Sequence, residues 1–173
     1  QISEMMSHLI TENDLNSNPF LINRTIKKVA VVVVTADRGL CGAFNTNILK
    51  EASKLIDIEL KEQNIKSAIY CVGKKSFDYF SKRNYEIIGN VINIFNNLQI
   101  EFSYKIARDI INGYLHNEYD KVIIIYNEFK SIIQQKIVRE DYLPIPIKIN
   151  KTKLENVNYI YEPSQKDIFN YIL

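Results

Sequence analysis

The 173-residue sequence has no Trp, two Cys, two Met, two His, four Pro and five Gly. Each shortage closes a class of function. Two cysteines are too few to staple a small domain with disulfides, and their scarcity fits a reducing compartment. The only histidines, His8 and His116, lie far apart in the chain and leave no multi-histidine metal centre. An excess of one charge is also missing. With 22 Lys+Arg against 20 Asp+Glu, the net charge of +2 gives no concentrated basic footprint for nucleic acid. The longest clean apolar run, residues 29–34, falls far short of the ~20 residues a membrane-spanning helix needs. The first ten residues carry neither the basic start nor the apolar core of a signal peptide. No internal repeat and no low-complexity tract is present.

What remains is an ordinary globular composition, 46% apolar and 24% charged. A chain of this length buries roughly two-thirds of its unfolded surface in one domain. The hydrophobic pattern alternates strand and helix. Residues 28–35 carry five Val in eight positions, the signature of a central strand buried on both faces. Residues 45–60 set Ile48, Ala52, Leu55, Ile56 and Glu59 at helical spacing, opposite Lys50, Glu51, Lys54 and Asp57. Residues 67–72 form a second buried strand ended by Gly73, and 74–83 a short helix carrying Phe77 and Phe80. A weaker extended segment, 85–94, is interrupted by Gly89. Residues 101–116 give the clearest helix, with Phe102, Ile106, Ile110, Ile111 and Tyr114 on its apolar stripe. Residues 120–127 make another central strand. Residues 131–142 follow too closely for a parallel crossover and should fold back as an antiparallel hairpin, closed by Pro144 and Pro146. The expected class is α/β: an open, Rossmann-like sheet, mostly parallel with one antiparallel hairpin strand, and helices on both faces.

The two ends share a pattern. Ile2, Met5, Met6 and Leu9 recur at helical spacing, and a turn-rich polar stretch follows through Pro19. Near the other end Ser164 stands three residues before Asp167, as in a helix N-cap, and Ile168, Phe169, Tyr171, Ile172 and Leu173 load the helix that begins there. With Gln1 as the first residue, the chain reads as a processed or excised piece, and its ends fit either two short terminal helices packed on the domain or the stumps of longer helices that leave it side by side.

Only one loop invites a chemical reading. Open α/β sheets bind ligands at the carboxyl ends of their strands, where the first strand runs into Thr35-Ala36-Asp37-Arg38-Gly39-Leu40-Cys41-Gly42-Ala43-Phe44-Asn45. Gly39 and Gly42 before a helix could bring backbone N–H groups to a phosphate. The spacing, however, is neither the three-glycine dinucleotide fingerprint nor a P-loop ending in Gly-Lys-Ser/Thr. Cys41 beside Arg38 and a helix N-terminus suggests a reactive thiol, but no His or second Cys lies nearby in sequence. Asp37 and Arg38 fit either a protein-contact site or a salt bridge within the loop.

This loop resembles the signature segment of the gamma subunit of F-type ATP synthases, Thr-Ser-Asp-Arg-Gly-Leu-Cys-Gly-Gly-Phe-Asn, with Ala36 for Ser and Ala43 for the second Gly. Tyr159-Ile160-Tyr161-Glu162-Pro163-Ser164 resembles the family's lead-in to its long C-terminal helix, and Tyr142-Leu143-Pro144 matches a hairpin end more loosely. The resemblance implies a rotor shaft. Terminal helices would form an antiparallel coiled coil inside a hexamer of alpha and beta subunits, and the α/β domain would meet epsilon and the membrane c-ring. It implies no active site, cofactor or metal in the subunit, and no direct contact with nucleic acid or insertion into the membrane. Asp37, Arg38, Gly39, Leu40, Cys41 and Gly42 would form the head-facing loop. The expected division is 1–12, the end of the N-terminal coiled-coil helix; 13–26, a linker; 27–162, the globular domain; and 163–173, the start of the C-terminal helix. The implied location is peripheral, on the cytoplasmic face of the bacterial inner membrane or the matrix side in mitochondria. The alternative is a small nucleotide-binding α/β enzyme that uses the loop between Gly39 and Gly42.

Overall fold

The valine run sets the architecture. In a computed structural model that describes residues 17–131, 135–146 and 162–172, it forms β1 (Lys28–Val34), whose five inner residues are buried. Branching at Cβ suits these residues to a pleated surface packed on both sides. β1 is the middle of a five-stranded sheet of order β3-β2-β1-β4-β5. β2 (Lys66–Val72) and β3 (Ile87–Val91) extend it on one side, and β4 (Lys121–Phe129) and β5 (Gln135–Leu143) on the other. The first four strands pair in parallel, and β5 runs antiparallel to β4. Val31 stands between Ile69 and Ile123, and Val33 between Cys71 and Ile125.

Three helices connect the strands. α1 (Phe44–Lys54) runs on into a π-helical segment, Leu55–Leu60. α2 (Lys74–Phe80) follows β2, and α3 (Ile100–Leu115) follows β3 after a single 3₁₀ turn, Ile94–Asn96. Val29, Val31, Val33, Ile69, Cys71, Ile123 and Ile125 pack with residues of α1, the π segment and Phe80 of α2. Side chains alternate along a strand, so Tyr70 points the other way, and its hydroxyl donates to Asp109 of α3 at 2.7 Å. Helices therefore cover both faces. The direction of strand succession reverses between β1 and β4, which makes the carboxyl end of β1 the topological switch point.

Two local readings need correction. Glu59 is not on the apolar stripe: the buried positions of the π segment are Leu55, Ile56 and Leu60. Glu59 instead pairs with Arg139 of β5 at 2.6 Å. Gly89 does not interrupt the third strand but lies within β3, opposite Tyr70, where the register skips Ile88. A Cβ on Gly89 would approach the Tyr70 ring to 2.5 Å.

The chain divides into two compact units, Arg24–Leu143 and a second formed by Gln1–Asn23 with Pro144–Leu173. In the second, the Ile145 N–H donates to the Phe20 carbonyl at 2.8 Å, and Asn18 closes a turn on Leu21 and Ile22. α4 (Gln165–Ile172) begins as its sequence suggests: the Asp167 N–H donates to Ser164 Oγ at 3.2 Å, and the Ser164 hydroxyl returns a bond to the Asp167 carboxylate at 2.6 Å. Phe169 is buried, whereas Tyr171 is turned to solvent. The helix expected over 1–12 and the start of the linker, 13–16, lie outside the described residues.

Candidate functional site

The loop leaving β1 is anchored before it reaches the surface. The Thr35 N–H donates to the Val72 carbonyl at 2.8 Å, and its hydroxyl accepts the Ser76 N–H at 2.8 Å. The Ser76 hydroxyl in turn reaches the carbonyls of Val72 and Gly73. The two strand ends come so close that a Cβ on Gly73, which sits at φ +90°, would overlap the Thr35 carbonyl.

Asp37 continues this anchoring. It is buried, and its Oδ1 accepts the N–H groups of Lys74 and Asn93, each at 2.8 Å, while Oδ2 accepts that of Phe95 at 3.0 Å. One carboxylate thus joins the segments that follow β1, β2 and β3. A second crosslink runs from α1, where Asn45 Oδ1 accepts the Ala36 N–H at 2.9 Å and Asn45 Nδ2 donates to the Arg38 carbonyl at 3.3 Å.

Past Asp37 the chain turns outward. Arg38, Gly39, Leu40, Cys41 and Gly42 are all exposed. Leu40 and Gly42 both take positive φ, +62° and +55°, a region that non-glycine residues seldom visit. Leu40 also presents its whole side chain to water. The Cys41 thiol donates to the Gly39 carbonyl at 3.4 Å, and the Phe44 N–H, at the start of α1, donates to the Cys41 carbonyl. Of the six residues that the sequence singles out, five share one exposed turn. Asp37 does not belong to that surface, because its carboxylate is turned inward.

Beside the turn lies a shallow groove of about 480 Å³, with Gly39, Leu40, Cys41 and Gly42 on one wall and Lys75, Asp78, Lys82 and Arg83 on the other. The guanidinium of Arg83 stacks on the Tyr79 ring, 3.7 Å from its centroid, and donates to the Tyr79 carbonyl at 2.7 Å. The basic wall had no signature in the sequence, because Lys75, Lys82 and Arg83 read locally as the solvated face of a short helix. A second groove of about 560 Å³ lies at the opposite, amino-terminal ends of β2 and β3, where the Tyr85 hydroxyl donates to Asp57 at 2.6 Å.

Ala43 supplies no side-chain cap to α1, and the Phe44 N–H is already taken. The Phe44 carbonyl accepts from Asn127 Nδ2 of β4 at 3.1 Å, which bridges the switch point with protein. Cys71 lies in the core, where burial outweighs a hydrogen bond with Ser76 and pushes its thiol up to about 12. Among the described residues no three His, Cys, Asp or Glu side chains converge to hold a metal ion.

Comparison with known proteins supplies the wider context. A family profile described as ATP synthase matches residues 1–173. The ATP synthase gamma chain of Chlorobium phaeobacteroides is 40% identical over 176 residues, covering 100% of this chain and 60% of the relative. That of Chlorobium limicola is 41% identical over 167 residues, covering 95% and 57%. The chain therefore spans about 60% of the length of the curated relatives it matches. Among solved structures, the central stalk and c-ring of the Tetrahymena thermophila mitochondrial ATP synthase contains a chain that matches with a TM-score of 0.68 at 23% identity, over 99% of this chain and 71% of that one. A rotor chain of the Euglena gracilis mitochondrial ATP synthase matches with a TM-score of 0.56 at 18% identity, over 98% and 69%. At these identities the likeness is one of fold.

Proposed function

This chain belongs to the ATP synthase gamma-chain family, and from that premise we propose that it is the α/β domain of a central-stalk rotor. Proton flow through the membrane c-ring would turn it, and it would carry rotation to the alpha/beta head, where ATP is made. Residues 27–162 form the globular domain in this proposal, joined by the linker 13–26 to the ends of an antiparallel coiled coil at 1–12 and 163–173. The alpha, beta and epsilon subunits and the c-ring are its partners. The complex places it at the membrane periphery, on the cytoplasmic face in a bacterium or the matrix side in a mitochondrion. No described helix is long and apolar enough to cross a membrane.

The domain acts here as a mechanical part, with no catalytic residue and no cofactor. Support comes from the build of the turn at Arg38, Gly39, Leu40, Cys41 and Gly42, which is braced from inside and shows an apolar tip to solvent. That arrangement suits a contact made under load better than a cleft that closes over a substrate. Arg38 to Gly42 form the head-facing contact, with Asp37 supporting them from within.

The basic groove beside Gly39 and Gly42 favours one competing reading, a nucleotide-binding enzyme. Calorimetric titration with ATP, ADP and NAD separates the two. A rotor part shows no saturable binding at micromolar ligand, and saturation at the end of β1 would revive the enzyme. In a pull-down, the chain is expected to retain epsilon without the head. Failure to retain either epsilon or the head would overturn the rotor assignment.

A further inference from the structure

The three hydrogen bonds to Asp37 reach across 37, 56 and 58 residues of sequence. They gather the amides that open α2 and the turn after β3 onto one carboxylate, and bonds to an ionised acceptor are the stronger kind. The same three segments are already joined through the sheet, where Val34 pairs with Val72, and Val72 with Val91. Without Asp37, a force on the exposed turn at Leu40 would reach the sheet through the end of β1, through α1 and through the bonds of Thr35, Ala36 and Asn45, none of which holds the turn after β3. Asp37 adds a further tie to the start of α2 and brings in the turn after β3, so the load is shared among the ends of β1, β2 and β3.

We propose that Asp37 is a positioning residue for torque transmission: it fixes the surface turn to the ends of three strands, so that the turn moves with the sheet as one body. This rests on the rotor function proposed above. Asparagine is the informative replacement. Its amide oxygen can still serve Lys74 and Asn93, but its NH₂ group faces the Phe95 N–H and cannot accept from it. Alanine releases all three amides.

The test uses an assembled ATP synthase whose full-length gamma chain carries Asp37→Asn. The readouts are co-purification with the head, ATP hydrolysis, ATP-driven proton pumping into vesicles and amide exchange. The expected result is parental assembly and hydrolysis with protons pumped per ATP lowered at least about twofold, together with exchange at the Phe95 amide faster by about tenfold. Tyr70→Phe, which removes the bond to Asp109 on the other face of the sheet, should leave pumping per ATP at the parental value. Parental pumping in Asp37→Asn, or an equal loss in Tyr70→Phe, overturns the proposal and leaves the rotor assignment standing. A parental chain that never enters the complex overturns the rotor assignment itself. Should Asp37→Asn fail to assemble, exchange in the parental complex decides: the Lys74, Asn93 and Phe95 amides must open together, within about threefold of one another, and separate rates overturn the proposal.

Discussion

Burial in β2 pushes the Cys71 thiol up to about 12, while Cys41 stands in the open turn with its thiol on backbone carbonyls. An alkylating reagent at neutral pH should therefore modify one cysteine per native chain and two after denaturation, counted by mass spectrometry. Prompt modification of Cys71 would mean that β2 opens far more readily than an interior strand should. Asp37 shows a limit of the same local view. The Asp37-Arg38 pair marks the loop in the sequence, but the partners of the carboxylate are backbone N–H groups from positions 74, 93 and 95. Backbone donors leave no trace in residue identity, so an apparent surface charge proves to be an internal tie.

At the scale of elements, the salt bridge between Glu59 of the π segment and Arg139 of β5 is open to an acid test. The Arg139 guanidinium, by its hydrogen bond first, holds the Glu59 carboxyl below its ordinary value. A depressed carboxyl stabilises the fold above its unfolded value, about 4.3, and that contribution is lost as pH falls through the folded value. Arg139→Met should cost a few tenths to about 1 kcal/mol at pH 7, the range for a partly exposed pair. In urea titrations the gap between variant and parent should shrink steadily from about pH 5 downward; a gap independent of pH would assign the effect to packing. The long elements were legible because their patterns are strong: the valines of β1, the Val122-to-Ile125 run of β4, the hairpin with β5 and the stripe of α3 through Ile110 and Tyr114. The π turn was not, since Ile48, Ala52, Ile56 and Leu60 are each four residues apart and fit an ordinary α-helical stripe.

For the molecule as a whole, β1 joins the two halves of the sheet, so damage there should not stay local. Val32 is buried in the middle strand, and Val32→Asp would place an unpaired charge there at a cost of several kcal/mol, comparable with the stability of a domain. The unit Arg24–Leu143 is expected to lose its cooperative thermal transition by circular dichroism; a melt near the parental midpoint would show that β1 does not hold the halves together. The same strand order also bears on synthesis. Of the described inner strands β1 is made first and waits longest for its second neighbour: β2 covers one edge soon after, but β4 is made only after the whole of β3 and α3. At ordinary elongation rates one edge of a valine-rich strand stays unpaired for about 4 to 20 s, an invitation to join a neighbouring nascent chain. Slowing translation between β2 and β4 should therefore lower the soluble yield of this chain, whereas slowing it after β5 should not.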